Sequence, residues 1–102
     1  MINAIMVSGN IANDPRAFGD EKKALRFTIA NNEYIGDGNE RVNYFDCVIF
    51  GKRADALTGI LAKGMKVSIF GKLRQSNYKD STGNSVYKVD IVIDEIELPR
   101  KA

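Results

Sequence analysis

The sequence predicts an all-β fold interrupted by a single helix, and three observations carry that reading. Apolar and polar residues alternate with a period of two through much of the chain, as in Leu25-Arg26-Phe27-Thr28-Ile29-Ala30 and again at Tyr87, Val89, Ile91 and Ile93. Two polar clusters rich in turn formers, Gly36-Asp37-Gly38-Asn39 and Asp80-Ser81-Thr82-Gly83-Asn84, punctuate these runs where a chain reverses. Only from Lys52 to Lys63 does the spacing become helical, through Ala54, Leu57, Ile60 and Leu61.

Ile5, Val7 and Ile11 mark a first strand, and Leu25, Phe27 and Ile29 the buried side of a second. The Gly36–Asn39 cluster supplies the left-handed backbone of a hairpin tip, so the second strand returns as a third from Val42 to Phe50. There Tyr44, Asp46, Val48 and Phe50 share one side, while Phe45, Cys47 and Ile49 face the core. Phe27 and Phe70 are likewise read as core. The helix follows from Lys52 to Lys63, modestly weakened by Gly59, with Gly64 at the place of a left-handed stop. A fourth strand sets Val67, Ile69 and Leu73 on one side and Lys66, Lys72 and Arg74 on the other, with Gly71 marking a bulge or bend. The Asp80–Asn84 turn leads to a fifth strand, in which Tyr87, Val89, Ile91 and Ile93 share a face until Pro99 ends it. Three strands, a helix and two strands give the connectivity of the five-stranded Greek-key OB-fold barrel, whose second and third strands and flanking loops bind oligonucleotides or oligosaccharides. The expected organisation is one domain over residues 1–98 and a short end, residues 99–102, with no repeat or linker.

Composition narrows the chemistry. A net charge of +2, from 15 basic and 13 acidic residues, hides a segregation. From Lys63 to Lys88 six cations face only Asp80, and from Val89 to Leu98 four acids have no basic neighbour. With no His and one Cys, a His-based triad cannot exist and a zinc site would rest on carboxylates alone. The Gly51-Lys52 and Gly71-Lys72 pairs lack the upstream glycine of a phosphate-binding loop and the Ser or Thr that follows it. Asp94, Glu95 and Glu97 read as a solvated edge. No metal, cofactor or catalytic residue is therefore expected, and Cys47 reads as a buried structural thiol. Without a long apolar run or a signal-like N-terminus, a cytoplasmic location and no membrane contact are expected.

What remains is aromatics interleaved with cations. Tyr44 and Phe50 lie six residues apart on one strand face, roughly 20 Å, enough to serve different bases of one unpaired strand. Tyr78 sits between Arg74 and Lys79 beside a polar turn, with little apolar surface to bury it. The run Tyr44-Phe45-Asp46-Cys47-Val48-Ile49-Phe50-Gly51-Lys52 closely resembles the bacterial single-stranded DNA-binding protein family, in which an aromatic precedes a hydrophobic strand ending in Phe-Gly-Lys. Val7-Ser8-Gly9-Asn10-Ile11 with Asp14-Pro15, Leu25–Ala30, Lys63-Gly64 and Gly71-Lys72-Leu73-Arg74 follow the family's order, so the resemblance runs from about Asn3 to Leu98.

The resemblance implies a non-catalytic coat for single-stranded DNA, nearly independent of sequence, in replication, recombination and repair. Tyr34, Tyr44, Phe50 and Tyr78 would stack on bases, with Ile35 competing for the place of Tyr34. Lys52, Lys63, Lys72, Arg74 and Lys79 would neutralise phosphates, each contact steepening the salt dependence by roughly 0.7. The resemblance also implies a homo-oligomer, a tetramer before a dimer, and the strand around Asn3 to Ser8 is the expected edge. Three departures from the family's pattern point to weaker binding than a strong member would show. Tyr44 and Tyr78 replace tryptophans of some members; Asp46 stands on the binding side, where it would repel phosphate; and Ser76 and Asn77 occupy places that some relatives fill with cations. The sequence stops at Pro99-Arg100-Lys101-Ala102 without the acidic tip through which members recruit replication or recombination proteins. An adaptor like the primosomal proteins, with secondary nucleic-acid binding, is the alternative.

Overall fold

The computed structural model describes residues 1–20 and 23–99, so Arg100, Lys101 and Ala102 of the short end lie outside the described residues. The elements are β1 (Ile5–Ile11), β2 (Arg16–Phe18), β3 (Ala24–Gly36), β4 (Asn39–Phe50), α1 (Lys52–Leu57), β5 (Lys66–Lys79) and β6 (Ser85–Glu97). The five expected strands correspond to β1, β3, β4, β5 and β6. The sixth, β2, is three residues long, too short to carry a periodic signal.

The strands pair in the order β1-β5-β6-β4-β3-β2, and an additional β1–β3 pairing closes five of them into an OB-fold barrel, with β2 outside on β3. β4 and β6 run parallel, Cys47 beside Ile91 and Val48 beside Val92, while the other pairings are antiparallel. β1 shares itself between two neighbours: Ile5 to Asn10 pair with β5, and Asn10 and Ile11 with β3. The handover requires Gly9, because a Cβ there would overlap the Ala30 carbonyl oxygen. On the free side of β1, the Asn31 side chain donates to the Ser8 carbonyl oxygen at 2.8 Å. Phe27, Leu25, Ile29, Ile11, Ile49, Cys47, Val67 and Ile91 fill the barrel, each essentially without solvent contact, and Ala54 and Leu61 join that cluster from α1 and the loop after it.

Several expectations are corrected here. The helix spans Lys52–Leu57 rather than reaching Lys63: Thr58 is already extended, with its hydroxyl donating to the Ala54 carbonyl at 2.7 Å, and Gly59 takes a left-handed φ of 86°. Gly59 is thus the stop, and Gly64 belongs to the turn before β5, where its N–H donates to the Ile11 carbonyl at 2.7 Å. Phe70 is exposed rather than core, because it lies opposite Met6 on the outer side of the β1–β5 pair. Tyr87 and Val89 share the face of Ile91 and Ile93 but are exposed, since their stretch of β6 pairs only with β5 as a two-stranded arm, and Leu73, opposite buried Ile91, is exposed at a cleft that Ile5 and Tyr44 also line. Val48 has the parity of the binding side yet is fully buried, held between β3 and β6 with Arg26 and Val92 beside it. The bulge near Gly71 is present: the register slips from Phe70–Glu95 to Gly71–Ile93, leaving Asp94 as the extra residue of β6. Among the described residues no helix is long and apolar enough to cross a membrane.

Cys47 is buried, and burial pushes its thiol up to about 12, with the charges of Asp46 and Asp90 adding to the rise. The unfolded thiol ionises near 9.0. A raised folded value leaves stability intact below that pH and erodes it as pH climbs from there toward the folded value, because only the unfolded chain then releases the proton. Urea midpoints of the wild type are expected to drop between pH 9 and 11 by more than those of Cys47→Ala. Parallel pH profiles for the two would refute this.

Candidate nucleic-acid interface

The outer face is assembled by strand parity. On β3, Arg26, Thr28, Ala30 and Tyr34 point away from the core, and they lie opposite Val48, Asp46, Tyr44 and Glu40 of β4. The side of β5 that carries Lys72, Arg74 and Tyr78 pairs with Val92, Asp90 and Val86 of β6 and continues this face. The continuity is direct: Arg74 lies over the Phe50 ring, 5.2 Å from its centroid, and Arg26 reaches Asp90 at 3.2 Å. Tyr34, Tyr44, Phe50 and Tyr78 keep 70%, 67%, 45% and 54% of their surface open, far more than core aromatics retain. Tyr34 sits near the tip of the β3–β4 arm, Tyr78 near the tip of the β5–β6 arm, and Tyr44 and Phe50 between them.

Both arms owe their shape to their turns. Gly36, Asp37 and Gly38 all have positive φ, which lets β3 reverse into β4 within two residues. In the β5–β6 turn one carboxylate oxygen of Asp80 accepts from the Thr82 and Asn84 N–H groups and from the Thr82 hydroxyl. The bond from the Thr82 side chain is the main reason that the Asp80 carboxyl is held below its usual range. At the base of this arm Asn3 extends the β1–β5 ladder with its side chain, accepting from Leu73 N–H at 2.9 Å and donating to its carbonyl at 2.8 Å. Tyr44 borders an apolar cleft of about 380 Å³ with Ile5, Phe45, Leu73, Val89 and Ile91.

The expected cations are less uniform. Lys72 and Arg74 lie on the aromatic face. Lys63 lines a groove of about 500 Å³ with Asn13, Arg16, Arg26, Thr28 and Asp46. Lys52 opens α1 just after Phe50 and Gly51, whereas Lys79, one residue past Tyr78, takes the opposite strand side. Sequence reasoning missed the centre of the site. Asp90, only 2% exposed, gathers Arg26 at 3.2 Å, Arg74 at 3.8 Å and Lys88 at 4.0 Å. Lys88 stands two residues before it on β6, while Arg26 and Arg74 are brought to it from β3 and β5. The alternation of Arg26 with Leu25 and Phe27 was the available signal that an arginine faces outward from this sheet.

Asp46 is not a bare acid. It accepts from the Thr28 hydroxyl at 2.9 Å and stands 3.8 Å from the Lys88 ammonium, so much of its repulsion is already offset. Asp46→Asn is expected to strengthen oligo-dT binding by only about 0.2–1 kcal/mol, the worth of a partly exposed ion pair, and to steepen the salt slope by leaving Lys88 with one carboxylate, Asp90, in place of two. Titrations of both proteins across a salt series measure this, and a weaker-binding variant contradicts it.

A closed OB-fold barrel whose outer face carries exposed aromatic rings among arginines and lysines defines an oligonucleotide-binding domain. The chain belongs to the single-strand binding protein family, which it matches over residues 2–99. It is 37% identical over 103 residues to a single-stranded DNA-binding protein of Borreliella burgdorferi, covering 95% of this chain and 69% of that protein. It is 27% identical over 101 residues to single-stranded DNA-binding protein 1 of Staphylococcus aureus, of which it spans 60%. In three dimensions it shares its fold with the Plasmodium falciparum SSB in complex with ssDNA, at a TM-score of 0.83 and 18% identity, covering 96% of this chain and 93% of the other. A small single-stranded DNA-binding protein from Streptomyces coelicolor gives a TM-score of 0.76 at 24% identity, covering 97% and 96%.

Proposed function

We propose that this chain binds single-stranded DNA without catalysis and with little sequence preference, in support of replication, recombination and repair. The observation that carries the reading is four exposed aromatic rings on one continuous outer face, with an arginine laid over one of them. Rings offer every base a stacking surface, which suits unpaired strands and not a closed duplex whose bases are already stacked. Tyr34, Tyr44, Phe50 and Tyr78 are the stacking platforms, and Lys52, Lys63, Lys72, Arg74 and Lys79 the phosphate contacts. Lys79 contributes from its edge. A cytoplasmic location accords with this role.

The chain acts as a homo-oligomer, a tetramer in preference to a dimer. Two features support this: the free edge of β1 opposite β5, and the exposed Met6 and Phe70, which lie side by side on the outer surface of that pair. Light scattering reads the mass directly. Fluorescence anisotropy of labelled oligo-dT, with duplex DNA and oligo-rU as competitors at two salt concentrations, tests the function. Tight, salt-sensitive binding that duplex does not displace and that Tyr78→Ala weakens is expected. Weak binding indifferent to Tyr78 would favour the adaptor, a reading consistent with arginines already occupied by Asp90.

A further inference from the structure

We infer that Phe18 of β2 is an additional nucleobase platform, the partner of Phe50 on the same face; the inference rests on the single-stranded DNA reading. Phe18 is paired with Ala24, and Ala24 with Phe50, so the three form one transverse row across β2, β3 and β4 with all side chains on the outer side. Two strand spacings, about 9.6 Å, separate the two ring-bearing positions. The residue between them is only a methyl group, 5% exposed, so the two side chains flank a small residue that its neighbours cover. Phe18 keeps 38% of its surface open, close to the 45% of Phe50.

The two rings are furnished alike. Arg26 lies over Phe18 with its guanidinium carbon 5.2 Å from the ring centroid, the same distance that separates Arg74 from Phe50. Both arginines are tethered to Asp90, at 3.2 Å and 3.8 Å. A buried carboxylate therefore holds two arginine–aromatic stacks, in each of which the ring keeps more than a third of its surface open beside the guanidinium. Arg16 pairs with Arg26 in the strand register and lies two residues before Phe18, on the side facing the groove that Lys63 lines. That places cations for a phosphate beside the Phe18 platform, as Lys72 and Arg74 are placed beside Phe50. The occupant is a base and phosphate of the same unpaired strand, so the strand's track turns from β4 across β3 onto β2.

Phe18→Leu keeps an apolar side chain for Arg26 to pack on and removes the π-face, while Phe18→Tyr keeps both. Affinity for oligo-dT is expected to fall at least about fivefold in Phe18→Leu, the lower end of one base–aromatic stack, and to stay within about twofold of wild type in Phe18→Tyr. Photocrosslinking of wild type to oligonucleotides carrying 5-iodouracil is expected to label the peptide containing Phe18, with thermal unfolding of the variants unchanged. Phe18→Leu that binds as wild type while Phe50→Leu is weakened, with no crosslink at Phe18, would overturn this inference alone. Failure of the wild type to bind oligo-dT would overturn it together with the proposed function.

Discussion

Phe50→Ala combined with Tyr78→Ala is expected to weaken oligo-dT binding by about 2–6 kcal/mol, roughly 30-fold to 10⁴-fold, because each ring contributes about 1–3 kcal/mol of stacking. The two losses should add. Tyr78 lies four residues along β5 from Arg74, the residue that touches Phe50, a separation of about 13 Å, and sites that far apart rarely couple. Both side chains are exposed, so the folded barrel loses little: thermal unfolding of the double variant should stay close to that of wild type. The salt slope should also change little, since no cation is removed. A double variant that binds within threefold of wild type would remove the aromatic face from the explanation and leave phosphate contacts alone to account for affinity.

The second large effect concerns the fold. Gly71→Ala is expected to destabilise the protein by about 3 kcal/mol, the upper end for an overpacked site, and to lower its melting temperature by about 15 °C. A Cβ at Gly71 would overlap the Val92 carbonyl oxygen and meet the Val92 carbonyl carbon at 3.0 Å and the Ile93 Cα at 3.1 Å, all backbone atoms that cannot rotate aside. The glycine stands opposite the slip that leaves Asp94 unpaired, so relief would have to come from undoing the bulge and shifting β6 against β5. The bulge also sets which β6 residues face outward above it, Asp90 among them. Gly71→Ala should thus weaken single-strand binding as well as stability. An unchanged melting temperature would show that the strand can part at that point without loss.

The barrel was legible because its signal is local. Alternation along β3 and β4, the glycine-rich tip between them and the helical spacing after Phe50 each arise from neighbours in the chain. The errors have two physical sources. One is length: parity predicts a side but not where the core ends, so Tyr87 and Val89 share a face with buried Ile91 and Ile93 and are nevertheless exposed. Phe70 fails differently, being on the outer parity of β5, where its size suggested a core that its register does not supply. The other source is pairing between distant segments. Asp90 looked like one acid in an acidic stretch, yet β3 and β5 bring it Arg26 and Arg74. The aromatics proposed for β4 and β5 were suggested by rings beside cations and the family's order, and the structure leaves them exposed on the outer face. Phe18 carried no such signal in the sequence, because β2 has only three residues and no alternation to announce its face.

The barrel is fastened along two narrow seams. Asn10 and Ile11 meet Ala30 and Ile29 at one, and Cys47 and Val48 meet Ile91 and Val92 at the other. By contrast, β3–β4 and β5–β6 are hairpins that need only a tight turn to begin zipping. Partners at the second seam are separated by 44 residues of chain, all of which must be ordered before two short contacts reward it. The hairpins should therefore form early and the seams last, so an incompletely folded chain is two ribbons with open edges. In that state, at high concentration, the edge meant for a seam can be taken by another molecule's ribbon, and brief dilution during refolding should recover more native protein than slow concentration does.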